Sequence, residues 1–369
     1  MKAVELLVVG GGPAGLCAAI QAAEMGSTVI LVERDEHLGG QLIKQTHMFF
    51  GSEKQYASKR GFDISELLLK KLSELAEKVT LMKGTTVVGI YEDGVVSLEQ
   101  GGKYFKVKPK ATIVATGASE KTLGFPNNDL PGIYGAGAVQ TLMNVHGIKP
   151  GSKVVMVGAG NIGLIVSYQL LQAGVKVAAI VEGGPKIGGY LVHASKVRRL
   201  GVPILTGHTV KEAHGTNCLE KVTLWKLDEN WQGISGTEID IEADVMCISV
   251  GLSPLSELLW QAGCQMKFVQ PLGGYVPARD ENLQTSVKGL FVAGDVSGVE
   301  EASSAMVEGY LAGMSAASFL GYKLFNMAEL RQDLLNQLDS LRHGQVGEKI
   351  RKGIAELQIV NEAAASVDL

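Results

Sequence analysis

Cysteine is scarce in this chain and is never paired at short spacing. The four cysteines are Cys17, Cys218, Cys247 and Cys264, and no two of them are spaced as in a CxxC motif. This spacing excludes a ferredoxin-type cluster, a zinc ribbon and a CxxC redox disulfide within the chain. Sparse, scattered cysteines are typical of a reducing compartment, and we predict a cytoplasmic protein.

Aromatic residues, excess basic charge and long apolar runs are also lacking. Phe, Trp and Tyr make up 6% of the sequence, which counts against a surface for stacking sugars or bases. With 34 basic and 38 acidic residues, the net charge of −4 gives no electrostatic footprint for nucleic acid. No apolar run reaches the roughly 18 residues of a membrane span, and the N-terminus does not resemble a signal peptide.

Glycine, in contrast, is abundant. The chain has 47 glycines against 10 prolines, without a collagen repeat. Such an excess indicates many tight strand-to-helix turns and therefore an α/β fold. A length of 369 residues predicts two or three domains, at about 100–200 residues each.

The first of these turns is a dinucleotide-binding motif. The apolar strand at 4–9 leads into Gly10-Gly11-Gly12-Pro13-Ala14-Gly15, and a helix and a second strand at 28–32 follow. Gly10 permits the tight turn, Gly12 lets the backbone approach a pyrophosphate, and Gly15 allows close helix–strand packing. The helix N-terminus attracts the pyrophosphate, and Glu33, 23 residues after Gly10, is placed to bind ribose hydroxyls.

The same pattern recurs in the middle of the chain. A strand at 153–157 precedes the turn 158–163 (GAGNIG), and a helix and the strand 175–181 follow before Glu182. An acid at this position favours NAD(H), because it repels the 2′-phosphate of NADP(H). Lys186 lies close enough in sequence to leave NADP(H) open. The alternative is a structural relic that binds no nucleotide.

Two further segments identify the first site. Strands at 111–118 (ATIVATGA) and 289–298 (GLFVAGDVSG), taken with the first glycine turn, resemble the FAD signatures of the two-dinucleotide-binding-domain flavoproteins, which include thioredoxin reductase. The resemblance implies that Asp295 holds the flavin ribityl chain and that a helix starting near 301–304 points its N-terminus at the flavin. It also implies that Gly40 and Gln41 lie beside the isoalloxazine and that Val87 contacts the adenine.

One branch of that superfamily is closer than the others. Thioredoxin reductases carry a CxxC near the second nucleotide domain, whereas this chain has 133–140 (IYGAGAVQ) in the corresponding stretch. Segments 130–160, 251–264, 272–298 and 300–313 resemble the α subunits of multi-subunit amine dehydrogenases and oxidases, such as sarcosine oxidase, dye-linked proline dehydrogenase, opine oxidase and hydrogen cyanide synthase. The resemblance implies a hetero-oligomer with a second flavoprotein dehydrogenase subunit. Since no cysteine follows Cys264, any iron–sulfur cluster would sit on a separate subunit.

The expected architecture has two Rossmann-like, three-layer ββα domains, the second inserted into the first. We expect the FAD domain at 1–121 and 283–325, the NAD domain at 122–282, and a C-terminal helical tail at 326–369. Segment 206–244 alternates like a β-meander. The tail carries two apolar stripes, which pack either on its own domain or on a partner subunit. These stripes are Met327, Leu330, Leu334, Leu338 and Leu341, and Val346, Ile350, Ile354 and Leu357.

The sequence yields a set of cofactor-binding candidates but no catalytic or metal-binding residue. Lys44 and His47, in the stretch 44–50, would tune the flavin or meet an electron donor, although a lone histidine is more often structural. The FAD candidates are Gly10, Gly12, Pro13, Ala14, Gly15, Glu33, Arg34, Gly40, Gln41, Val87, Ala115, Thr116, Gly117, Gly294, Asp295 and Ala302. The NAD(H) candidates are Gly158, Gly160, Asn161, Ile162, Gly163, Glu182 and Gly251.

Three functions remain open on the sequence. The first is an FAD-dependent subunit that passes electrons between a nicotinamide nucleotide or acceptor and a partner flavoprotein. The second is a stand-alone NAD(P)H-dependent reductase of a soluble acceptor, without a CxxC disulfide. The third is a structural subunit that binds nucleotide without turnover.

Overall fold

The computed structural model describes residues 2–49 and 52–357, and it divides into two compact units. The first unit is Met1–Ser119 with Ser253–Leu369, and the second is Glu120–Leu252. The strands are β1 Lys2–Val9, β2 Val29–Val32, β3 Val79–Met82, β4 Thr85–Ile90, β5 Val96–Gln100, β6 Lys103–Val114, β7 Ala118–Glu120, β8 Ile133–Gly135, β9 Lys153–Val157, β10 Lys176–Glu182, β11 Ile204–Thr206, β12 His208–His214, β13 Lys221–Lys226, β14 Ile239–Glu242, β15 Val245–Ile248, β16 Leu252–Pro254, β17 Met266–Val269, β18 Gly274–Pro277 and β19 Leu290–Val292. The α-helices are α1 Pro13–Glu24, α2 Gly61–Glu74, α3 Ala136–Asn144, α4 Asn161–Gln172, α5 Leu191–Arg199, α6 Glu257–Gln261, α7 Ala302–Phe319, α8 Met327–Leu341 and α9 Gly344–Ala355.

The main sheet of the first unit is built around β6. Strands β3, β2, β1 and β6 run parallel in that order. The first half of β6 pairs antiparallel with β5, which pairs with β4, and its second half pairs parallel with β19. The long strand thus joins a parallel Rossmann-like sheet to a β-meander.

Alternation along β1 divides the core of the first unit into two layers. Leu6 and Val8 pack with α1, α2 and α7 on one face of the sheet. Leu7 and Val9 pack on the other face with apolar residues of β4, β5 and α6. Since a strand's side chains point to alternate faces, this is the three-layer arrangement predicted from the sequence.

The second unit repeats the plan on a smaller scale. Its parallel sheet has the order β11-β10-β9-β15-β8, and β12-β13-β14 form a separate antiparallel sheet. Val154 and Met156 of β9 face α3, α4 and α5, whereas Val155 and Val157 face the antiparallel sheet. The predicted meander at 206–244 is therefore the third layer of this unit.

The second crossing between the units differs from the expected position. The sequence-based boundary lies at 282/283, whereas the compact units divide at 252/253. Segment 253–282 belongs to the first unit because Leu259, Ala262 and Cys264 lie in that unit's core.

The tail packs on the first unit. Leu334 and Leu338 of α8 are buried in the core with α1 and α7, and Ile350 of α9 is buried with Leu272. Of the two alternatives for the stripes, the structure supports packing on the chain's own domain. Val346 is the exception, since it is 57% exposed. The part of the predicted tail from 358 to 369 lies outside the described residues.

Candidate functional site

Backbone geometry shapes the first glycine turn. Gly10 has φ +104°, and a Cβ there would overlap the carbonyl oxygen of Ala115. A Cβ on Gly15 would overlap the Gly10 carbonyl oxygen, so α1 lies directly against the turn. At Gly12 the nearest atom is the Gly40 Cα, at 3.9 Å from a Cβ position. The backbone at Gly12 is therefore open enough for a ligand to approach, as a pyrophosphate requires.

Helix α1, which follows, presents its first amide groups beside Gly12. Gly12 is the N-cap of α1 and has no side chain to occupy those amides, and Pro13 stands at the first helical position. Ala14 and Gly15 follow within the first turn of the helix. An uncapped helix N-terminus of this kind is an anion site, since its N–H groups and dipole favour negative charge.

Glu33 is tied to the turn by its own carboxylate. One oxygen accepts a hydrogen bond from the Gly11 N–H at 2.6 Å, and the other accepts from the Asp35 N–H at 2.9 Å. These bonds fix the half-buried carboxylate at the end of β2. Each oxygen has two lone pairs, so it keeps capacity to accept from ribose hydroxyls. The neighbouring candidate Arg34 is exposed.

The distant Gly-Asp segment lies against α1. Gly294 has φ +75°, and a Cβ there would come 2.9 Å from the Ala14 Cβ. Burial raises the pKa of Asp295 to about 7, and the charges of Glu300 and Glu308 add to the effect. The Asp295 carboxylate accepts a hydrogen bond from the Glu300 N–H at 3.3 Å. A carboxylate with this single bond has room for hydroxyl donors.

The remaining FAD candidates divide into those near the turn and those away from it. Ala115 borders Gly10, and Thr116 donates its hydroxyl to the Leu255 carbonyl at 2.8 Å just before Gly117. Gly40 faces Gly12, and Gln41 beside it is exposed. Ala302 is the first residue of α7, which packs on α1. Val87 lies apart on β4, in the core layer on the other face of the sheet.

The second glycine turn has the same construction. Gly158 has φ +109°, and a Cβ there would overlap the Ser249 carbonyl oxygen. A Cβ on Gly163 would overlap the Gly158 carbonyl oxygen, and one on Gly160 would meet no atom within 4 Å. Glu182 accepts from the Ala159 N–H and from the Gly184 N–H, each at 2.9 Å. Among the other candidates, Asn161 accepts from the Tyr190 N–H at 2.8 Å, Ile162 is 38% exposed, and Gly251 lies beyond β15 with φ +117°.

A second glycine pair, not identified from the sequence, completes this match. Gly39 donates to the Gly11 carbonyl at 2.8 Å, and Gly189 donates to the Ala159 carbonyl at 2.9 Å. In both units a Gly-Gly pair begins six residues after the acid, in the segments 33–40 and 182–189. The repeat of acid and paired glycines at equal spacing was the signal that could have found Gly188 and Gly189.

A buried ion network, also not predicted, supports the Gly-Asp segment. Glu308 accepts from the Gly294 N–H at 3.0 Å and pairs with Arg279 at 3.0 Å and with Arg342 at 2.6 Å. Arg342, from the tail, also binds Glu300 at 2.7 Å. Burial raises the pKa of Glu308, but the two guanidinium groups outweigh it and hold the pKa below its usual value. The tail thus reaches the base of the proposed flavin site.

No cysteine is placed for disulfide chemistry. All four cysteines are free, and only Cys218 is exposed. Burial raises the pKa of the Cys17 thiol to about 12, and it also raises the pKa values of Cys247 and Cys264. These thiols are poor nucleophiles at neutral pH, because the thiolate is the reactive form.

The other sequence candidates lie in the loop after Gly40. Lys44 ends a 3-10 helix, and the ring of His47 stacks on Phe49 with centroids 5.7 Å apart. Their proposed role toward a flavin stays a prediction; Phe50 of the same stretch lies outside the described residues. Within 2–49 and 52–357, no group of three or more His, Cys, Asp or Glu side chains is arranged to hold a metal ion. Over the same residues, no helix combines the length and apolarity needed to cross a membrane.

Comparison with known proteins places the chain among flavoprotein oxidoreductases. Residues 4–309 match the family model described as pyridine nucleotide-disulphide oxidoreductase. The A chain of opine oxidase from Agrobacterium tumefaciens is 25% identical over 86% of this chain, and the HcnB component of hydrogen cyanide synthase from Pseudomonas aeruginosa is 27% identical over 84%. The alpha chain of sarcosine oxidase from Corynebacterium sp. is 30% identical over 89% of this chain. The protein described here spans 66%, 70% and 34% of the lengths of these relatives, respectively.

Solved structures support the fold. Thioredoxin reductase of T. acidophilum superimposes with a TM-score of 0.70 at 24% identity, over 86% of this chain and 99% of that one. L-proline dehydrogenase of P. horikoshii gives 0.67 at 24% identity, over 90% of this chain and 59% of that one. These structures confirm the predicted fold class, and the curated relatives confirm the resemblance to the amine dehydrogenase branch. Since one family model covers most of its length, the chain belongs to the pyridine nucleotide-disulphide oxidoreductase family, whose members bind FAD and NAD(P), and it is an FAD-dependent oxidoreductase.

Proposed function

We propose that this chain is the FAD-bearing subunit of a hetero-oligomeric dehydrogenase and passes electrons between a nicotinamide nucleotide and a partner flavoprotein. The main support is that each unit has a glycine turn, the N-terminus of a helix and an acid placed to bind a dinucleotide, a combination that we call a dinucleotide cradle. All four cysteines are free, and no two are spaced as in a CxxC motif. The curated relatives are named as subunits of opine oxidase, hydrogen cyanide synthase and sarcosine oxidase, which supports the presence of a partner.

In the first unit, the residues around Gly12 would hold FAD. The cradle fits the cofactor because a Cβ at Gly12 would meet only one atom within 4 Å, the Gly40 Cα. The α1 amides would bind the pyrophosphate, Glu33 would accept from ribose hydroxyls, and Asp295 would accept from the ribityl chain. The bound flavin supplies the redox chemistry, and the protein positions it and excludes competing reactions. The N-terminus of α7 would favour negative charge near its first turn.

In the second unit, the open position at Gly160 and the carboxylate of Glu182 would hold the adenosine half of NAD(H). Glu182 disfavours a 2′-phosphate by charge repulsion, although Lys186 lies nearby in sequence. The same intact cradle also supports the second candidate function, a stand-alone NAD(P)H-dependent reductase of a soluble acceptor. A structural role, in which nucleotide binds without turnover, is the third.

An anaerobic titration separates these candidates. The purified chain is titrated with NADH while the visible flavin band is followed. We expect the flavin band to bleach at near-stoichiometric NADH. In a preparation that retains a co-purifying flavoprotein, we expect the electrons to pass only to that flavoprotein. Turnover with a small soluble acceptor and no partner would favour the stand-alone reductase. A bound flavin that never responds to NADH or to a partner would overturn both catalytic functions.

A further inference from the structure

Trp231 occupies an unusual place in the second unit. It lies in the loop between β13 and β14, with 65% of its surface exposed. Its benzo ring lies against Gly183, where an added Cβ would come 2.7 Å from the Trp231 Cζ3 atom. Gly183 directly follows Glu182. A large exposed indole therefore stands beside the acid proposed to bind the adenosine ribose.

The backbone of Trp231 is held in a conformation that suits glycine better. Its φ of +63° lies in the left-handed region, where a bulky side chain is strained. The surrounding loop imposes it: the Asp228 carboxylate accepts from the N–H groups of Asn230 at 2.9 Å and Gln232 at 2.8 Å. The Trp231 N–H donates to the Asp228 carbonyl at 3.1 Å. Glycine would remove the strain, so a largely exposed indole here has a cost in stability that points to a role in function.

The loop is also fixed relative to Glu182. Leu227 donates to the Gly207 carbonyl at 2.8 Å, and Gly207 donates to the Gly184 carbonyl at 2.9 Å. Glu182 itself accepts from the Gly184 N–H. A chain of backbone bonds thus connects the hairpin to the acid, so the indole is pre-positioned and loses little entropy when a ligand binds.

We propose that Trp231 is the platform on which the adenine of the nicotinamide nucleotide stacks. This rests on the proposed nucleotide site of the second unit. Because adenine is joined directly to the ribose that Glu182 would bind, the base must lie at the loop after Glu182. Gly183 places no side chain between that loop and the indole. Stacking on an aromatic face recognises adenine by its π surface and apolar area.

The test compares ligands with and without adenine. Equilibrium dissociation constants are measured for ADP-ribose and for reduced nicotinamide mononucleotide, using the flavin-loaded full chain. Trp231→Ala should weaken ADP-ribose binding about 5- to 150-fold, the range for loss of one stacked base, and should change binding of the mononucleotide less than about twofold. Trp231→Phe should keep most of the affinity. Trp260→Ala removes an indole that is 51% exposed in the first unit and serves as the matched control.

A glycine variant separates binding from folding. Trp231→Gly relieves the left-handed strain, so its thermal midpoint should be equal to or above that of the parent, while ADP-ribose binding falls as in the alanine variant. Equal ADP-ribose affinity in the parent and in Trp231→Ala would overturn the stacking role and leave the proposed nucleotide site standing. If the parent chain binds no ADP-ribose, the proposed site and the stacking role fall together.

Discussion

The two glycine turns are nearly identical, but what lies against them is not. In the first unit, α7 packs so closely on α1 that a Cβ on Gly309 or Gly313 would overlap the carbonyl oxygens of Ala14 or Ala18. In the second unit, α4 is flanked by α3 through longer side chains, with the amides of Gln140 and Gln169 joined at 3.0 Å. The shared turn would bind the adenosine and the pyrophosphate that FAD and NAD(H) have in common. Close packing of α7 on α1 would favour retention of FAD at the proposed first site, whereas the looser surroundings of α4 would let a nicotinamide nucleotide exchange at the proposed second site.

The largest expected effect comes from adding a methyl group at the glycine where each helix lies against its glycine turn. Gly15→Ala and Gly163→Ala each place a Cβ on the carbonyl oxygen of the first turn residue. We expect Gly15→Ala to yield chain without flavin or without a folded first unit. Gly163→Ala should keep its flavin and lose at least about tenfold in nicotinamide nucleotide affinity. Flavin absorbance per chain and ADP-ribose binding measure the two outcomes.

Gly124→Ala is the control for these changes, because a Cβ at Gly124 meets no atom within 4 Å. It should leave both readouts unchanged. Loss of flavin in Gly163→Ala, with Gly15→Ala unaffected, would reverse the assignment of the two cofactors.

The next largest effect concerns the buried ion network of Arg279, Glu308 and Arg342 in the first unit. The Arg342 side chain is 11% exposed and pairs with Glu300 and Glu308. Arg342→Met leaves the two acids with less compensation, and breaking a buried pair in this way costs about 3–5 kcal/mol. We expect the free energy of unfolding, from denaturant titration, to fall by about that amount and flavin retention to fall with it.

Arg351→Met is the matched control within the tail. Its partner Asp339 and its own side chain are 65% and 41% exposed, so its loss should change stability by less than about 0.5 kcal/mol. If Arg342→Met were as mild as this control, the tail would not stabilise the flavin site.

A smaller effect is the pH dependence set by Asp295. Its pKa is raised from 3.8 to about 7 in the folded chain, mainly by burial. The folded state therefore holds a proton that the unfolded state releases. The stability from this proton is fully present below pH 3.8 and is lost as the pH rises through about 7.

Asp295→Asn should remove this slope from the stability of the flavin-free chain, measured by thermal midpoint between about pH 4 and 8. Asp295→Ala should also yield protein depleted of flavin, since it cannot accept from the ribityl chain. A normal flavin stoichiometry in Asp295→Ala would contradict the role of this residue.

Much of both cradles could be predicted because their requirements are local in sequence. A positive φ at Gly10, a close helix at Gly15 and an acid at the end of the next strand follow one another within a single βαβ unit. The network of Arg279, Glu308 and Arg342 could not be predicted in this way. Its members lie on separate elements, and only the packing of α7 and α8 brings them together. The boundary at 252/253 could not be predicted for a similar reason, because the burial of Leu259 depends on contacts with strands far away in sequence.

The pairing of β6 with β19 has a consequence for how the chain is made. Thr112 and Leu290 are neighbours in one sheet, yet the whole second unit is synthesised between them. The second unit is continuous in sequence and can close its own core as it leaves the ribosome, whereas the first must wait for β19 and α7. Such long-range parallel pairing is slow to form. The proposed flavin site of the first unit would therefore assemble after the second unit has folded.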